Sequence, residues 1–97
     1  MIEDQELRTL FKAESEEHLQ LLEQGLLRLE ADPNDQATLE EVFREAHSLK
    51  GAARMLGITS VERLAHQFED VLGAARRGQG PLAPESIDRL YQQLDTL

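Results

Sequence analysis

The chain has no cysteine and no tryptophan, three prolines among 97 residues, and only four aromatic side chains, three Phe and one Tyr. The absence of cysteine excludes disulfides, thiolate nucleophiles and zinc-thiolate sites, and fits a reducing compartment. Apolar runs are only a few residues long, too short to cross a bilayer, and Met1-Ile2-Glu3-Asp4 is acidic where a secretory signal is basic. The expectation is a soluble, cytoplasmic protein with no membrane contact. Basic residues are also scarce: ten Lys and Arg against nineteen Asp and Glu give a net charge of −9. Affinity for nucleic acid rests on neutralising phosphates, so DNA and RNA are excluded as partners. The imbalance is local, with thirteen acids and four bases in residues 1–45 but six of each in residues 46–97. The second half is therefore close to electrically neutral.

What is present is helical periodicity. At 97 residues the chain is expected to be one domain, 1–97, able to bury a core without metal or disulfide help. Leu7, Leu10, Phe11, His18, Leu22, Leu26 and Leu29 follow the three/four spacing of an amphipathic helix that opens at Glu3 or Asp4 and runs to about Glu30. Asp32-Pro33-Asn34-Asp35 is a turn, and Asp35 is placed to cap a second helix over Gln36 to Leu56. Gly57 suits the left-handed conformation that ends a helix, and Thr59 or Ser60 can cap a third helix from about Val61 to Arg77. Gly78-Gln79-Gly80-Pro81 breaks that helix, and Pro84 opens a fourth with Ile87, Leu90, Tyr91 and Leu94 facing inward. Short connections between long amphipathic helices predict an all-α, antiparallel up-down-up-down four-helix bundle. Leu97 ends the sequence without cap or polar tail, as in a domain cut from a longer polypeptide.

The most informative stretch is Ala46-His47-Ser48-Leu49-Lys50-Gly51-Ala52-Ala53. Leu39, Val42, Ala46, Leu49, Ala53 and Leu56 form one apolar stripe, and at about 100° per residue His47 lies roughly 130° from its centre. His47 therefore faces solvent. Gly51, one turn later on that exposed side, costs a helix about 1 kcal/mol relative to alanine, and room for a phosphoryl group and a docking partner is a reason for it. On the third helix His66 and Glu69 lie off the Phe68-centred stripe, on a flank shared with Glu62 and Gly73, and antiparallel packing brings that flank beside His47. An imidazole that is to be phosphorylated needs a free lone pair on one ring nitrogen, and a carboxylate accepting from the other N–H supplies that tautomer. Glu69 is the candidate orienter, with Nε2 of His47 then taking the phosphate. Lys50 is the candidate cation for the phosphoryl oxygens, and His66 a second hydrogen-bond donor in the same network. His18 sits at core spacing and reads as a packed or boundary histidine, and the Glu14, Glu16, Glu17 cluster as an exposed helix face.

His47-Ser-Leu-Lys50-Gly51, preceded by Phe43-Arg44-Glu45-Ala46 and followed by Leu56-Gly57, resembles the histidine phosphotransfer (HPt) domains of two-component signalling. Within that family it is most similar to the P1 domains of CheA-type chemotaxis histidine kinases. The resemblance covers the whole chain, including Ala74-Ala75-Arg76-Arg77-Gly78. It implies His47 as phosphoacceptor, with Lys50, His66 and Glu69 around it. It further implies a partner kinase domain that supplies ATP and Mg²⁺, and a response-regulator receiver whose aspartate, with its own Mg²⁺, takes the phosphoryl group. This segment would then bind no cofactor or metal itself, contain no ATP site, and be monomeric when isolated. His47, Ser48, Lys50, Gly51 and Arg54 would form the partner surface, Arg54 being either a contact or simply solvated. Two features depart from the pattern: Ala52 stands where many members have a second glycine, and the usual fifth helix is missing.

Other readings use the same residues less completely. A metal-binding bundle needs Glu-x-x-His on two helices and further inward carboxylates, whereas this chain has one His-x-x-Glu in the opposite order. A non-catalytic interaction module has no use for His47, Lys50, Gly51 and Glu69 together. A free-standing phosphotransfer protein is a close variant of the kinase-fragment reading.

Overall fold

The computed structural model describes residues 4–78 and 82–96, the side chain of Asp4 excepted, so Glu3, the Gln79-Gly80-Pro81 breaker and Leu97 lie outside the described residues. Four helices carry the fold: α1 (Asp4–Ala31), α2 (Gln36–Leu56), α3 (Thr59–Arg76) and α4 (Pro84–Asp95). Residue numbers run in opposite directions across the α1–α2 and α2–α3 contacts. Arg28 meets Glu41 and His18 meets Glu45 between α1 and α2, and Glu40, His47 and Arg54 of α2 meet Arg76, Glu69 and Glu62 of α3. The arrangement is the antiparallel bundle predicted from periodicity, 46 × 22 × 20 Å overall.

The interior is filled by the expected stripes. Phe11, Leu22, Leu26 and Leu29 of α1 meet Leu39, Val42, Ala46, Leu49 and Ala53 of α2, and Leu64, Ala65, Phe68 and Leu72 of α3, with Leu82, Ile87 and Leu90 closing the fourth side. Tyr91 packs against this core with its hydroxyl buried and without a hydrogen-bond partner among the described residues. Burial, with the Glu30 and Glu23 carboxylates nearby, pushes its pKa up to about 12. Two predicted inward residues are instead exposed, Leu10 at 53% and Leu56 at 38%. Phe11 takes the inward place on α1, about 100° around the helix from Leu10. At the end of α2, Ile58 rather than Leu56 packs against the core.

Caps set the element boundaries. Asp35 adopts an extended conformation and accepts from the Thr38 backbone N–H at 3.2 Å and from its hydroxyl at 2.7 Å. Hydrogen bonds from Thr38 side chain and backbone hold the Asp35 carboxyl below the usual carboxylate range. Gly57, at φ 70°, donates to the Arg54 carbonyl while Ile58 donates to that of Ala53, the paired bonds of a Schellman ending. Glu62 N–H already donates to the Ile58 carbonyl, so α3 begins at Thr59, two residues before the predicted Val61. Ile58 occupies the cap position without a side-chain bond, and Thr59 and Ser60 are helical residues rather than caps. Gly25 was not singled out by periodicity, yet a Cβ there would fall 2.1 Å from Val42 Cγ2, so its missing side chain is what lets α1 and α2 approach.

Candidate functional site

The stripe that buries Ala46 and Leu49 leaves His47 between them on the outside, its side chain 69% exposed. From α3, Glu69 reaches across with its side chain only 12% exposed and divides its carboxylate between two residues of α2. Oε1 lies 2.8 Å from Nδ1 of His47, and Oε2 accepts from Nζ of Lys50 at 2.7 Å. Burial raises the Glu69 pKa, but the hydrogen bonds and charge of Lys50 and His47 outweigh it and hold the carboxyl below its ordinary range. An ionised carboxylate only accepts, so Nδ1 is the donor and a neutral His47 keeps its Nε2 lone pair toward solvent. That tautomer is assigned from the network.

Register makes this meeting possible. Arg54 donates from Nε to Glu62 at 2.8 Å on one side of it, and Arg76 to Glu40 at 2.8 Å on the other. Arg76 also stacks on Phe43, 4.7 Å from the ring centroid. These contacts bracket the His47–Glu69 level, so a slip of α3 along α2 would break all of them together.

The residues singled out in sequence do not all converge. His47, Lys50 and Glu69 form one hydrogen-bonded set. Lys50, expected as a mobile charge for phosphoryl oxygens, is 18% exposed and held on Glu69. His66 stands outside the set: it is 59% exposed, and its Nε2 lies 3.4 Å from Asp70 Oδ1. It sits about 60° around α3 from Glu69, far enough to turn the ring outward. Ser48 and Gly51 are exposed, and nothing lies within 4 Å of the position a Gly51 Cβ would take. Met55, 87% exposed on the same side of α2, escaped notice because a lone methionine off the apolar stripe has no periodic signal. His18 is half-buried, as expected of a boundary residue, and pairs with Glu45 on α2, a partner that one-helix spacing does not reveal. Glu14, Glu16 and Glu17 are exposed.

Among the described residues no group of three or more His, Cys, Asp or Glu side chains is placed to hold a metal ion, and no helix is long and apolar enough to cross a membrane. The site offers a nucleophilic imidazole nitrogen, its tautomer set by Glu69, on an open surface.

The family model described as the Hpt domain matches residues 6–97. The chain is 41% identical over 88 residues to chemotaxis protein CheA of Bacillus subtilis, covering 91% of this chain and 13% of that protein. It is 38% identical over 85 residues to CheA of Halobacterium salinarum, covering 88% of this chain and again 13% of the relative. Its fold is similar to the CheA phosphotransferase domain from Thermotoga maritima, with a TM-score of 0.88 and 32% identity over 99% of this chain and 90% of that one. The chain thus spans about an eighth of the length of these curated relatives.

Proposed function

Because the chain belongs to the Hpt domain family, we propose that His47 carries phosphoryl groups in a two-component relay, accepting them from a CheA-type kinase domain and passing them to a response-regulator receiver. The observation that carries this reading is the bond from Nδ1 of His47 to ionised Glu69, which leaves Nε2 free and exposed.

In the first step the Nε2 lone pair attacks the γ-phosphorus of ATP held by the kinase domain. The bond from that phosphorus to the β,γ-bridging oxygen breaks, its electron pair leaves with ADP, and Nε2 becomes a phosphoramidate. The ring is positively charged as the new bond forms, and Glu69, accepting from Nδ1–H, stabilises it. In the second step an aspartate oxygen of the receiver attacks phosphorus, the P–N bond breaks, and its electrons return to Nε2. ATP and Mg²⁺ belong to the kinase partner and a second Mg²⁺ to the receiver, since positioning and charge neutralisation of this kind are the catalytic contribution in phosphoryl transfer. The segment itself is substrate and donor, the reading makes it part of a longer histidine kinase, and ATP-dependent relay places it in the cytoplasm.

Ser48, Gly51, Arg54 and Met55 surround His47 on the open side and form the surface that partners cover. Gly51 needs no internal explanation there, since its missing Cβ faces open space. The test is a chase: the phosphorylated domain, freed of kinase and ATP, is mixed with a panel of receiver domains and Mg²⁺. Loss of phosphate from the domain with its appearance on a receiver aspartate is expected. A stable phosphodomain that no receiver discharges would contradict the carrier role.

A further inference from the structure

A phosphoryl group on His47 brings between one and two negative charges to the α2–α3 groove, and the cations of α2, with Arg76 of α3, are engaged. Lys50 is bonded to Glu69 at 2.7 Å. Arg54 is bonded to Glu62, and Arg76 to Glu40 while stacked on Phe43. Arg44 is turned back along its own helix, its Nε 3.4 Å from the Glu40 carbonyl.

Arg77 is placed differently. Among the described residues it has no carboxylate at ion-pair distance, unlike Arg54 and Arg76. Its side chain lies back along α3 over Gly73, with Nη1 3.3 Å from the position a Gly73 Cβ would occupy, and Phe43 Cε2 is 3.4 Å from that same point. The space left by the missing Gly73 side chain is thus bordered by the guanidinium of Arg77 and by the ring edge of Phe43. Phe43 and Gly73 are both one helical turn from the site: Phe43 is four residues before His47 on α2, and Gly73 four after Glu69 on α3, each step about 6 Å of rise at 1.5 Å per residue. Helical side chains lean toward the N-terminus of their own helix. That rule directs His47 toward the Phe43–Gly73 level, and Arg77, just past the end of α3, lies back over the same level from the other helix.

We infer that Arg77 is the cation that meets the phosphoryl oxygens on phosphorylated His47, the part that spacing along α2 assigns to Lys50. The guanidinium fork matches a phosphoryl group's oxygens in pairs, whereas Lys50 stays on Glu69 and preserves the tautomer. Arg77 in this scheme is a binding group for the phosphorylated state and makes no bond in the chemistry. The inference rests on the assignment of His47 as acceptor, and its test separates the two.

The domain is phosphorylated with potassium phosphoramidate, which transfers its phosphoryl group to the imidazole and releases ammonia, and the phosphohistidine ³¹P resonance is titrated with pH. The resonance is assigned by its absence in His47→Gln. Wild type, Arg77→Gln and Arg76→Gln are compared. A nearby cation favours the dianion, so the midpoint of the last phosphoryl ionisation is expected to rise by a few tenths of a pH unit in Arg77→Gln, the size an exposed ion pair supplies. It should stay at the wild-type value in Arg76→Gln, and the difference should shrink at high salt. Coincident midpoints in wild type and Arg77→Gln would overturn the role of Arg77 while leaving His47 as acceptor. Failure of wild type to give a His47-dependent resonance would overturn the acceptor assignment and the inference with it.

Discussion

Glu69 joins two residues of α2 through one carboxylate, and the consequences differ on its two sides. Toward His47 it fixes a tautomer, and toward Lys50 it secures its own charge. Glu69→Gln keeps the shape and loses the charge, so the rate of His47 phosphorylation should fall by about tenfold or more while the far-UV spectrum is unchanged; a rate equal to wild type would remove Glu69 from the mechanism. The pH dependence has a definite sign. The folded carboxyl titrates below its ordinary range, so its contribution to stability is complete above the unfolded pKa and is lost as pH falls through the folded one. The stability gap between wild type and Glu69→Gln, read by denaturant titration, should therefore close only in acid. The pairing of Glu69 with His47 was legible in sequence because both lie off their apolar stripes, on flanks that antiparallel packing of α2 and α3 brings together. The engagement of Lys50 and the outward turn of His66 were not: spacing along one helix reports neighbours on that helix, and it does not report which way a long side chain or a ring rotates once a second helix is present.

Three glycines in helices or at their ends do three different things, and alanine at each distinguishes them. Gly57 has φ 70° in open space, so Gly57→Ala meets no neighbour but forces a left-handed backbone, costing about 1 kcal/mol or more. Gly51 is helical with nothing within 4 Å of a Cβ, so Gly51→Ala should stabilise the free domain by up to about 1 kcal/mol and slow transfer with its partners, a split visible by comparing thermal unfolding with relay rates. Gly25→Ala would place a methyl 2.1 Å from Val42 Cγ2 and should destabilise by about 1–3 kcal/mol through forced separation of α1 and α2; an unchanged melting temperature would refute that close approach. The Gly57 ending and the Asp35 cap follow from local rules and were readable in advance. The start of α3 was not, because Ile58 closes α2 and opens α3 within one tight turn, leaving Thr59 no capping position.

The four helices share one core, and Phe68 is its largest fully buried side chain. Phe68→Ala should cost about 3–5 kcal/mol, a large part of the 5–15 kcal/mol typical of a domain, and should be seen as a domain that unfolds near ambient temperature; a small loss would mean the interior can collapse around the void. Periodicity was enough for the bundle as a whole because every helix carries one continuous apolar stripe, and the errors fell at its edges, at Leu10 and Leu56. The domain thereby separates its tasks: the stripes hold α2 and α3 in register, the register brings Glu69 to His47, and the outer face of His47 is left open.

Peptide-level mass spectrometry after incubation with a CheA-type kinase core and Mg-ATP decides whether His47 is the phosphoacceptor, with His47→Gln in parallel and a P1 domain known to be labelled by that core as the positive control. A single acid-labile phosphate on His47, absent from the variant, is the predicted result. A phosphate on His18 or His66 instead, or an unlabelled domain beside a labelled control, would contradict it.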